Sequence, residues 1–224
     1  MNIRLTTIVA AFLISAVGSA PSFARPADDL APKADRGAVF DPVVRLTNGC
    51  TGFHIGNGIF LSAGHCMGMK TAWSLETEND NGGKRSFKVD TMIYSNPNDW
   101  NAQDTAIIYV EPILTKALPA LDLDCSGTVH PIGTEIATEG FPEDYGRNYT
   151  VGYISAKPSP HNKVWQKAVY RAQLPISYGN SGGPVFDLAT GKVIGVMVGL
   201  LPNNRTLSIV QPIDFACRVL GRSE

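Results

Sequence analysis

From Val39 onward, the hydrophobic residues fall in short runs that are separated by Gly, Asn, Pro and Asp. Several runs alternate between apolar and polar positions or are rich in β-branched residues, and turn signals such as Asn57-Gly58 lie between them. The pattern predicts strands at Val43–Leu46, Ile59–Leu61, Phe87–Ile93, Thr105–Val110, Glu135–Glu139, Val151–Ile154, Val164–Ala172, Val193–Val198 and Leu207–Gln211. Strands at this spacing are typical of an all-β sandwich or barrel.

One helix is predicted, at the carboxyl end of the chain. It follows Pro212 and ends at Gly221. The stretch 112–127 contains Pro112 and Pro119 and predicts an extended connector. The pattern therefore divides the chain into a first β unit (39–111), this connector (112–127), a second β unit (128–211) and a terminal helix (212–224).

Residues 1–24 predict a cleaved signal peptide rather than a part of the fold. Arg4 precedes an apolar run from Leu5 to Val17, and small residues lie before Arg25 as in an A-x-A-like cleavage site. A membrane anchor is the alternative, but this run is too short to span a bilayer. Residues 25–38 are rich in Pro, Ala and charge and predict an exposed leader or propeptide remnant. The mature chain is expected to be secreted or periplasmic, with no membrane contact.

The composition is typical of a compact globular protein, and the net charge limits the kinds of partner that the chain is expected to bind. Hydrophobic residues make up 44% and charged residues 17% of the chain, and the formal net charge is −1. Removing residues 1–24 takes away Arg4 alone, so 18 basic and 20 acidic residues leave a net charge of −2. Charge therefore gives no support to a nucleic-acid partner.

Four cysteines, Cys50, Cys66, Cys125 and Cys217, all lie in the predicted mature chain. An even number in an exported chain predicts two disulfides, and spacing alone leaves the three possible pairings open. A zinc site is the alternative. The cysteines are scattered and form no C-x-x-C, so no metal site is predicted from them. The acidic residues Glu76, Glu78 and Asp80 are a possible calcium loop, for which a solvated acidic surface is the simpler explanation.

The segment Gly179-Asn180-Ser181-Gly182-Gly183-Pro184 carries the strongest chemical signal. A tight turn here would project the Ser181 hydroxyl, while the glycines let a substrate backbone approach closely. The N–H groups of Gly179 and Ser181 would then receive the negative oxygen of a tetrahedral intermediate. A glycine-rich hairpin with an incidental serine is the alternative, but the longer string GNSGGPVF followed by an apolar strand is more specific.

A serine needs a base, and the base needs a carboxylate that orients it. His65 lies in the string Leu61-Ser62-Ala63-Gly64-His65-Cys66, directly after a predicted strand. Asp104 begins the β-branched strand DTAII and is the predicted carboxylate. Asp99, in a polar loop with no strand behind it, is the alternative.

With LSAGHC, DTAII and GNSGGPVF in this order, the chain resembles the chymotrypsin-like serine peptidases of the trypsin superfamily from about residue 39 to its end. The resemblance implies two perpendicular six-stranded antiparallel β-barrels, an active site in the cleft between them and a terminal helix. It also implies a Cys50–Cys66 disulfide next to the catalytic histidine and a Cys125–Cys217 disulfide from the connector to the helix. An α/β-hydrolase is excluded because its histidine follows the serine, and no histidine follows Ser181.

Departures from the family pattern bear on activation and specificity. Asn180 replaces the aspartate that pairs with a new amino terminus in animal members, so that ion pair is not expected. The resemblance places the substrate-binding wall at Pro175, Tyr178, Val198 and Gly199. Pro175 stands where trypsin is acidic, which favours a neutral, apolar substrate side chain. The chain also ends soon after Leu220, so no added peptide-binding domain of the Deg/HtrA type is expected.

The sequence thus predicts a serine endopeptidase with the triad His65, Asp104 and Ser181. It is expected to act on proteins or peptides as a monomer, with no cofactor and no metal. A binding protein on a catalytically retired protease fold is the alternative. Such chains usually lose a triad member or the oxyanion glycine, and all of these are present here.

Overall fold

The computed structural model describes residues 41–68, 74–79, 81–94, 103–161, 165–201 and 204–222. The predicted signal peptide and leader, and the alternative carboxylate Asp99, lie outside the described residues. No helix within these ranges is long and apolar enough to cross a membrane.

The described residues form thirteen strands and three short helices. The strands are β1 (Val43–Leu46), β2 (Thr51–His54), β3 (Ile59–Ser62), β4 (Ser74–Glu78), β5 (Lys84–Lys88), β6 (Thr91–Tyr94), β7 (Ala106–Tyr109), β8 (Glu135–Gly140), β9 (Asn148–His161), β10 (Trp165–Gln173), β11 (Pro184–Asp187), β12 (Val193–Leu201) and β13 (Asn204–Pro212). The helices are α1 (Gly64–Met67), α2 (Pro112–Thr115) and α3 (Asp214–Val219), and a 3-10 turn spans Pro142–Asp144. The predicted all-β class and terminal helix are confirmed.

The first seven strands form one sheet in the order β5-β4-β1-β2-β3-β7-β6. This differs from the six-stranded barrel that the resemblance implies. The two edge strands β5 and β6 are halves of one segment, interrupted at Val89 and Asp90, where the Asp90 N–H bonds to the Tyr109 carbonyl at 2.9 Å. Bending at this point lets one segment pair with β4 by its first half and with β7 by its second. If β5 and β6 are counted as one bent strand, the first unit is a curled sheet of six strands.

The last six strands form a closed antiparallel barrel in the order β10-β13-β12-β11-β8-β9. This confirms the six-stranded barrel predicted for the second β unit. Its interior is filled by side chains that alternate inward along the strands: Ile136, Ile154, Tyr170, Ala172, Leu174, Val185, Ile194, Met197 and Val210.

Three strands were missed by the sequence analysis, β2, β4 and β11. In β4 the inward side chains Leu75 and Thr77 alternate with Glu76 and Glu78, which therefore belong to a strand and not to a loop. Glu78 lies opposite Lys84 of β5 in the strand register. The expectation of an acidic loop was wrong for Glu76 and Glu78, and Asp80 lies outside the described residues.

A buried cluster of apolar side chains joins the two units. It extends from Val44 and Phe53 in the first sheet to Phe186 and Val196 in the barrel and to Ala216 of α3. The described residues contain two disulfides, Cys50–Cys66 within the first unit and Cys125–Cys217 from the connector to α3. These are the pairs that the family resemblance implies.

Candidate active site

Strand pairing explains why His65 and Asp104 meet. Strands β3 and β7 run antiparallel with Ser62 opposite Ala106, so the residues that follow β3 lie beside those that precede β7. His65 is in α1, directly after β3, and Asp104 lies just before β7. Asp104 Oδ2 is 2.8 Å from His65 Nδ1, and Asp104 Oδ1 accepts a 2.7 Å hydrogen bond from the His65 backbone N–H. Two contacts to one carboxylate fix both the ring and its helix.

Ser181 lies on the turn between β10 and β11, which enters the space between the two units. Asn180 and Gly183 close this turn with a 2.9 Å backbone hydrogen bond. Gly182 has φ +89°, and a Cβ there would strike the Thr51 carbonyl and the Ser62 hydroxyl. Only glycine allows the barrel turn to approach the first sheet this closely.

Thr51 of β2 holds the serine turn from the first sheet. Its N–H donates to the Ser181 carbonyl at 2.8 Å, and its hydroxyl donates to the Gly179 carbonyl at 2.6 Å. The same hydroxyl accepts the Phe141 N–H at 3.1 Å. Thr51 is fully buried, so these bonds are shielded from water and align the serine turn with the sheet that carries His65. No sequence signal marked this residue.

A hydrogen bond to the Tyr178 carbonyl fixes the direction of the Gly179 N–H, because the two groups belong to one peptide unit. The Tyr178 carbonyl accepts the Glu143 N–H at 2.7 Å, and Ser177 donates its hydroxyl to the Glu143 carboxylate. A trans peptide points its C=O and N–H in opposite directions, so the Gly179 N–H faces away from Glu143. Neither the Gly179 nor the Ser181 N–H has a partner in the described residues. Both donors are therefore free for a ligand.

Two residues at this site have a left-handed backbone. Gly179 has φ +99°, which glycine adopts without strain, and a Cβ there would strike the Phe141 carbonyl. Glu143 has φ +48°, a left-handed conformation that a residue with a side chain rarely adopts. Strain at a non-glycine residue next to two free N–H donors is the kind of feature that clusters at functional sites.

The Ser181 hydroxyl points to Val198, not to His65. It donates to the Val198 carbonyl at 2.9 Å. Val198 is the extra residue of a β-bulge, because Met197 pairs with Val210 and Gly199 with the next residue, Ile209. Within the described residues, His65 Nε2 has only the disulfide sulfur of Cys66 near it, at 3.7 Å. The structure thus has the histidine–aspartate pair and lacks the hydrogen bond between histidine and serine.

Ser181 and His65 line the same cleft, whose volume is about 750 Å³. Of the predicted substrate-binding residues, Tyr178, Val198 and Gly199 line it. Pro175 is not among its lining residues, and the neighbouring Ile176 takes that place. The remaining lining residues are Asn48, Gly49, Cys50, Glu143, Ser177, Gly179, Leu200, Leu201 and Arg205. Glu143 and Arg205 bring charge to the cleft, and the sequence analysis gave neither a role.

Cys50, His65 and Cys66 are close enough together to resemble a metal site. Both cysteines are joined in a disulfide, however, and thiolate is the form that binds metal. Their sulfurs are therefore committed to the covalent bond that fixes α1.

A second histidine site lies in the barrel, away from the cleft. His130 is buried between two carboxylates, with Nε2 at 3.2 Å from Asp124 and Nδ1 at 3.2 Å from Asp187. Burial alone would raise the pKa of Asp124, but hydrogen bonds from Ser126 and the charge of His130 hold it below its ordinary value. Both ring nitrogens are occupied, so this histidine ties the connector to β11.

These features place a serine, and a histidine that contacts a carboxylate, at one cleft. A family model for the trypsin-like peptidase domain matches residues 50–196, and the chain belongs to that family. Over 122 residues the chain is 29% identical to a probable periplasmic serine endoprotease, DegP-like, from Pseudomonas savastanoi pv. phaseolicola (strain 1448A / Race 6). That alignment covers 53% of this chain and spans only 24% of the relative's length.

Solved structures give the same fold. An HtrA-type protease, AlgW with a tripeptide, superposes with a TM-score of 0.64 at 21% identity, over 90% of this chain and 63% of that one. The serine endoprotease from Yersinia pestis gives 0.59 at 20% identity, over 84% and 62%. The inactive mutant of Rv3671c from M. tuberculosis H37Rv gives 0.58 at 21% identity, over 81% and 84%. At these identities the likeness concerns the fold alone.

Proposed function

We propose that this chain is an exported serine endopeptidase that hydrolyses peptide bonds through an acyl-enzyme. The observation that carries the proposal is the contact between Asp104 and His65, because His65 lines one cleft with Ser181 and with the free N–H groups of Gly179 and Ser181. The curated relative is described as a periplasmic serine endoprotease, and one solved neighbour carries a tripeptide. Both support a peptide substrate and an extracytoplasmic location.

In the proposed reaction, His65 Nε2 takes the Ser181 proton while Oγ attacks the scissile carbonyl carbon. The resulting oxyanion binds the Gly179 and Ser181 N–H groups, and removing one such donor typically costs about 3 kcal/mol. The C–N bond breaks as His65 returns the proton to the leaving amine. Water, deprotonated by His65, then hydrolyses the ester and restores the Ser181 hydroxyl. Asp104 holds the imidazole in one tautomer throughout.

For the reaction to begin, the Ser181 hydroxyl must leave the Val198 carbonyl and turn toward His65, and we propose that substrate binding causes this change. The Val198 carbonyl that holds Ser181 lies on the bulge, outside the regular strand ladder. An N–H of a bound peptide that takes this carbonyl would release the hydroxyl, and a single rotation about χ1 would turn it toward His65. Catalytic hydrogen bonds that form only in the substrate complex are common in free enzymes.

A fluorophosphonate probe tests the proposal directly. The wild-type chain is expected to be labelled at Ser181 and to cleave casein, and Ser181→Ala to do neither while keeping its unfolding midpoint. Asp104→Asn is expected to be labelled about 10⁴-fold more slowly, because the wrong tautomer is then favoured. A folded wild-type chain that takes up no probe would refute the enzyme.

A retired protease-fold binding protein is the second candidate. The Ser181–Val198 hydrogen bond favours it, since a serine bound to a carbonyl is not activated. This candidate predicts peptide binding that is equal in wild type and Ser181→Ala, with no labelling of either. Labelling of the wild type alone excludes it.

A further inference from the structure

The cleft contains a cationic side chain, Arg205, that the triad does not use. Arg205 lies near the start of β13, and its side chain lines the same cleft as Ser181. No hydrogen bond or ion pair in the described part of the chain involves its guanidinium. The neighbouring Asn204 side-chain oxygen accepts the Thr206 N–H at 3.1 Å and the Thr206 hydroxyl at 2.6 Å, which fixes the backbone on both sides of Arg205.

The cleft that Arg205 lines contains apolar side chains. Leu200, Leu201 and Ile176 are among its lining residues. Among the described lining residues Glu143 is the one carboxylate, and that group already accepts the Ser177 hydroxyl and forms no ion pair with the guanidinium. A guanidinium with no carboxylate beside it is free to bind one from a ligand, with a forked geometry that suits carboxylates.

The strand next to Arg205 offers a place for a peptide. Strand β11 pairs with β12 only as far as Val196, so the segment Gly199–Leu201 has β13 on one side and the cleft on the other. An exposed strand edge of this kind binds an extended peptide by main-chain hydrogen bonds, and nearby side chains then choose among sequences.

We propose that Arg205 selects an acidic side chain, Asp or Glu, on the part of the substrate that pairs with Gly199–Leu201. This inference rests on the proposed peptidase function and names its substrate class. It complements the apolar wall, because the residue at the scissile bond meets the wall and a neighbouring residue meets the charge. The contact is partly exposed, so its contribution falls as salt rises.

The test compares peptides that differ only by Glu against Gln, scanned through each position around the cleavage site. For the wild type, kcat/KM is expected to favour Glu about threefold to fivefold at one position, the equivalent of one partly screened charge pair. Arg205→Gln is expected to reduce that ratio to about one, Arg205→Lys to keep part of it, and Arg205→Glu to reverse it in favour of Gln. Arg218→Gln, on the exposed face of α3, removes the same charge elsewhere and is expected to keep the wild-type ratio.

Binding separates this inference from the proposed function. In the Ser181→Ala background, fluorescence anisotropy of the same labelled peptides reports affinity without cleavage. A Glu preference there that Arg205→Gln removes supports Arg205 even if no variant cleaves. Equal affinities and equal cleavage rates for Glu and Gln at every position would overturn the inference, while probe labelling of Ser181 would still stand. An equal loss of preference in Arg218→Gln would also overturn it, since net charge would then explain the effect.

Discussion

The chain contains two histidine–carboxylate sites that differ in one respect. At His65 a single carboxylate takes one ring nitrogen, and 32% of the side chain is open to the cleft. At His130 two carboxylates take both nitrogens, and only 11% of the side chain is exposed. A histidine transfers protons only if one nitrogen is free to face a reactant. The same pair of residue types therefore leaves one ring nitrogen available at His65 and none at His130.

Replacing His65 should give the largest effect of all. His65→Gln is expected to lower kcat/KM about 10⁴-fold, because the serine then has no base. Since a partly exposed ring is lost, the free energy of unfolding in urea is expected to change by no more than about 0.5 kcal/mol. If His65→Gln lost most of its stability together with its activity, His65 would be structural like His130, and the contrast between the two sites would be wrong.

The opposite result is expected at His130. His130→Leu removes the ring contacts at 3.2 Å to both Asp124 and Asp187, and leaving buried carboxylate oxygens without their partner costs about 1 to 3 kcal/mol. Urea denaturation measures the loss, and kcat/KM per folded molecule is expected to stay at the wild-type value. A fall in the activity of the folded fraction would show that the barrel site communicates with the cleft.

Thr51 tests how the cleft is held together. It lies in the first β unit and positions the serine turn of the second. Thr51→Val keeps the shape and removes the hydroxyl, leaving the Gly179 carbonyl without its 2.6 Å bond. The loss of about 1 to 2 kcal/mol is expected to appear as a roughly tenfold lower kcat with little change in KM. Thr51→Ser, which keeps the hydroxyl, is the control and should retain most of the activity. Equal losses in both variants would point to packing instead.

A third histidine, His54, contacts no carboxylate in the described residues, and we expect its replacement to have the smallest effect of these variants, on the pH dependence of stability. Its Nδ1 is 2.7 Å from the Pro119 carbonyl, and burial lowers its pKa. The folded state therefore favours the neutral ring. Its contribution is complete above the unfolded pKa of about 6.5 and is lost as the pH falls below that value toward the folded pKa. His54→Phe is expected to flatten the fall in unfolding free energy between pH 7 and pH 5, and an unchanged slope would contradict this.

Local sequence predicted the elements that carry their own signal. His65 and Asp104 were identified because each adjoins a strand of β-branched or apolar residues, and their contact follows from pairing β3 with β7. The spacing of the strands predicted an all-β sandwich or barrel, and the family resemblance implied the six-stranded barrel that the second unit forms. In contrast, β2 has the sequence TGFH, which shows no apolar period, and all four of its residues are buried on both faces.

The residues that sequence did not reveal act over long separations. Thr51 reaches Gly179 across 128 positions, and nothing near Thr51 in the chain indicates that contact. The position of Arg205 in the chain does not show that it lines a cleft. Only the structure places it in one cleft with residues of β12 and the serine turn. The direction of the Ser181 hydroxyl toward Val198 depends on a bulge in β12, which the apolar run Val193–Val198 does not distinguish from a regular strand.

The bend between β5 and β6 gives one stretch of backbone two tasks. Its first half pairs with β4 and its second half with β7, so the same segment borders both edges of the first sheet. Of the two residues at the bend, Val89 is buried and Asp90 is exposed. A substitution that loosens Val89 from the core is therefore expected to weaken both edges of the sheet together, and not one edge alone.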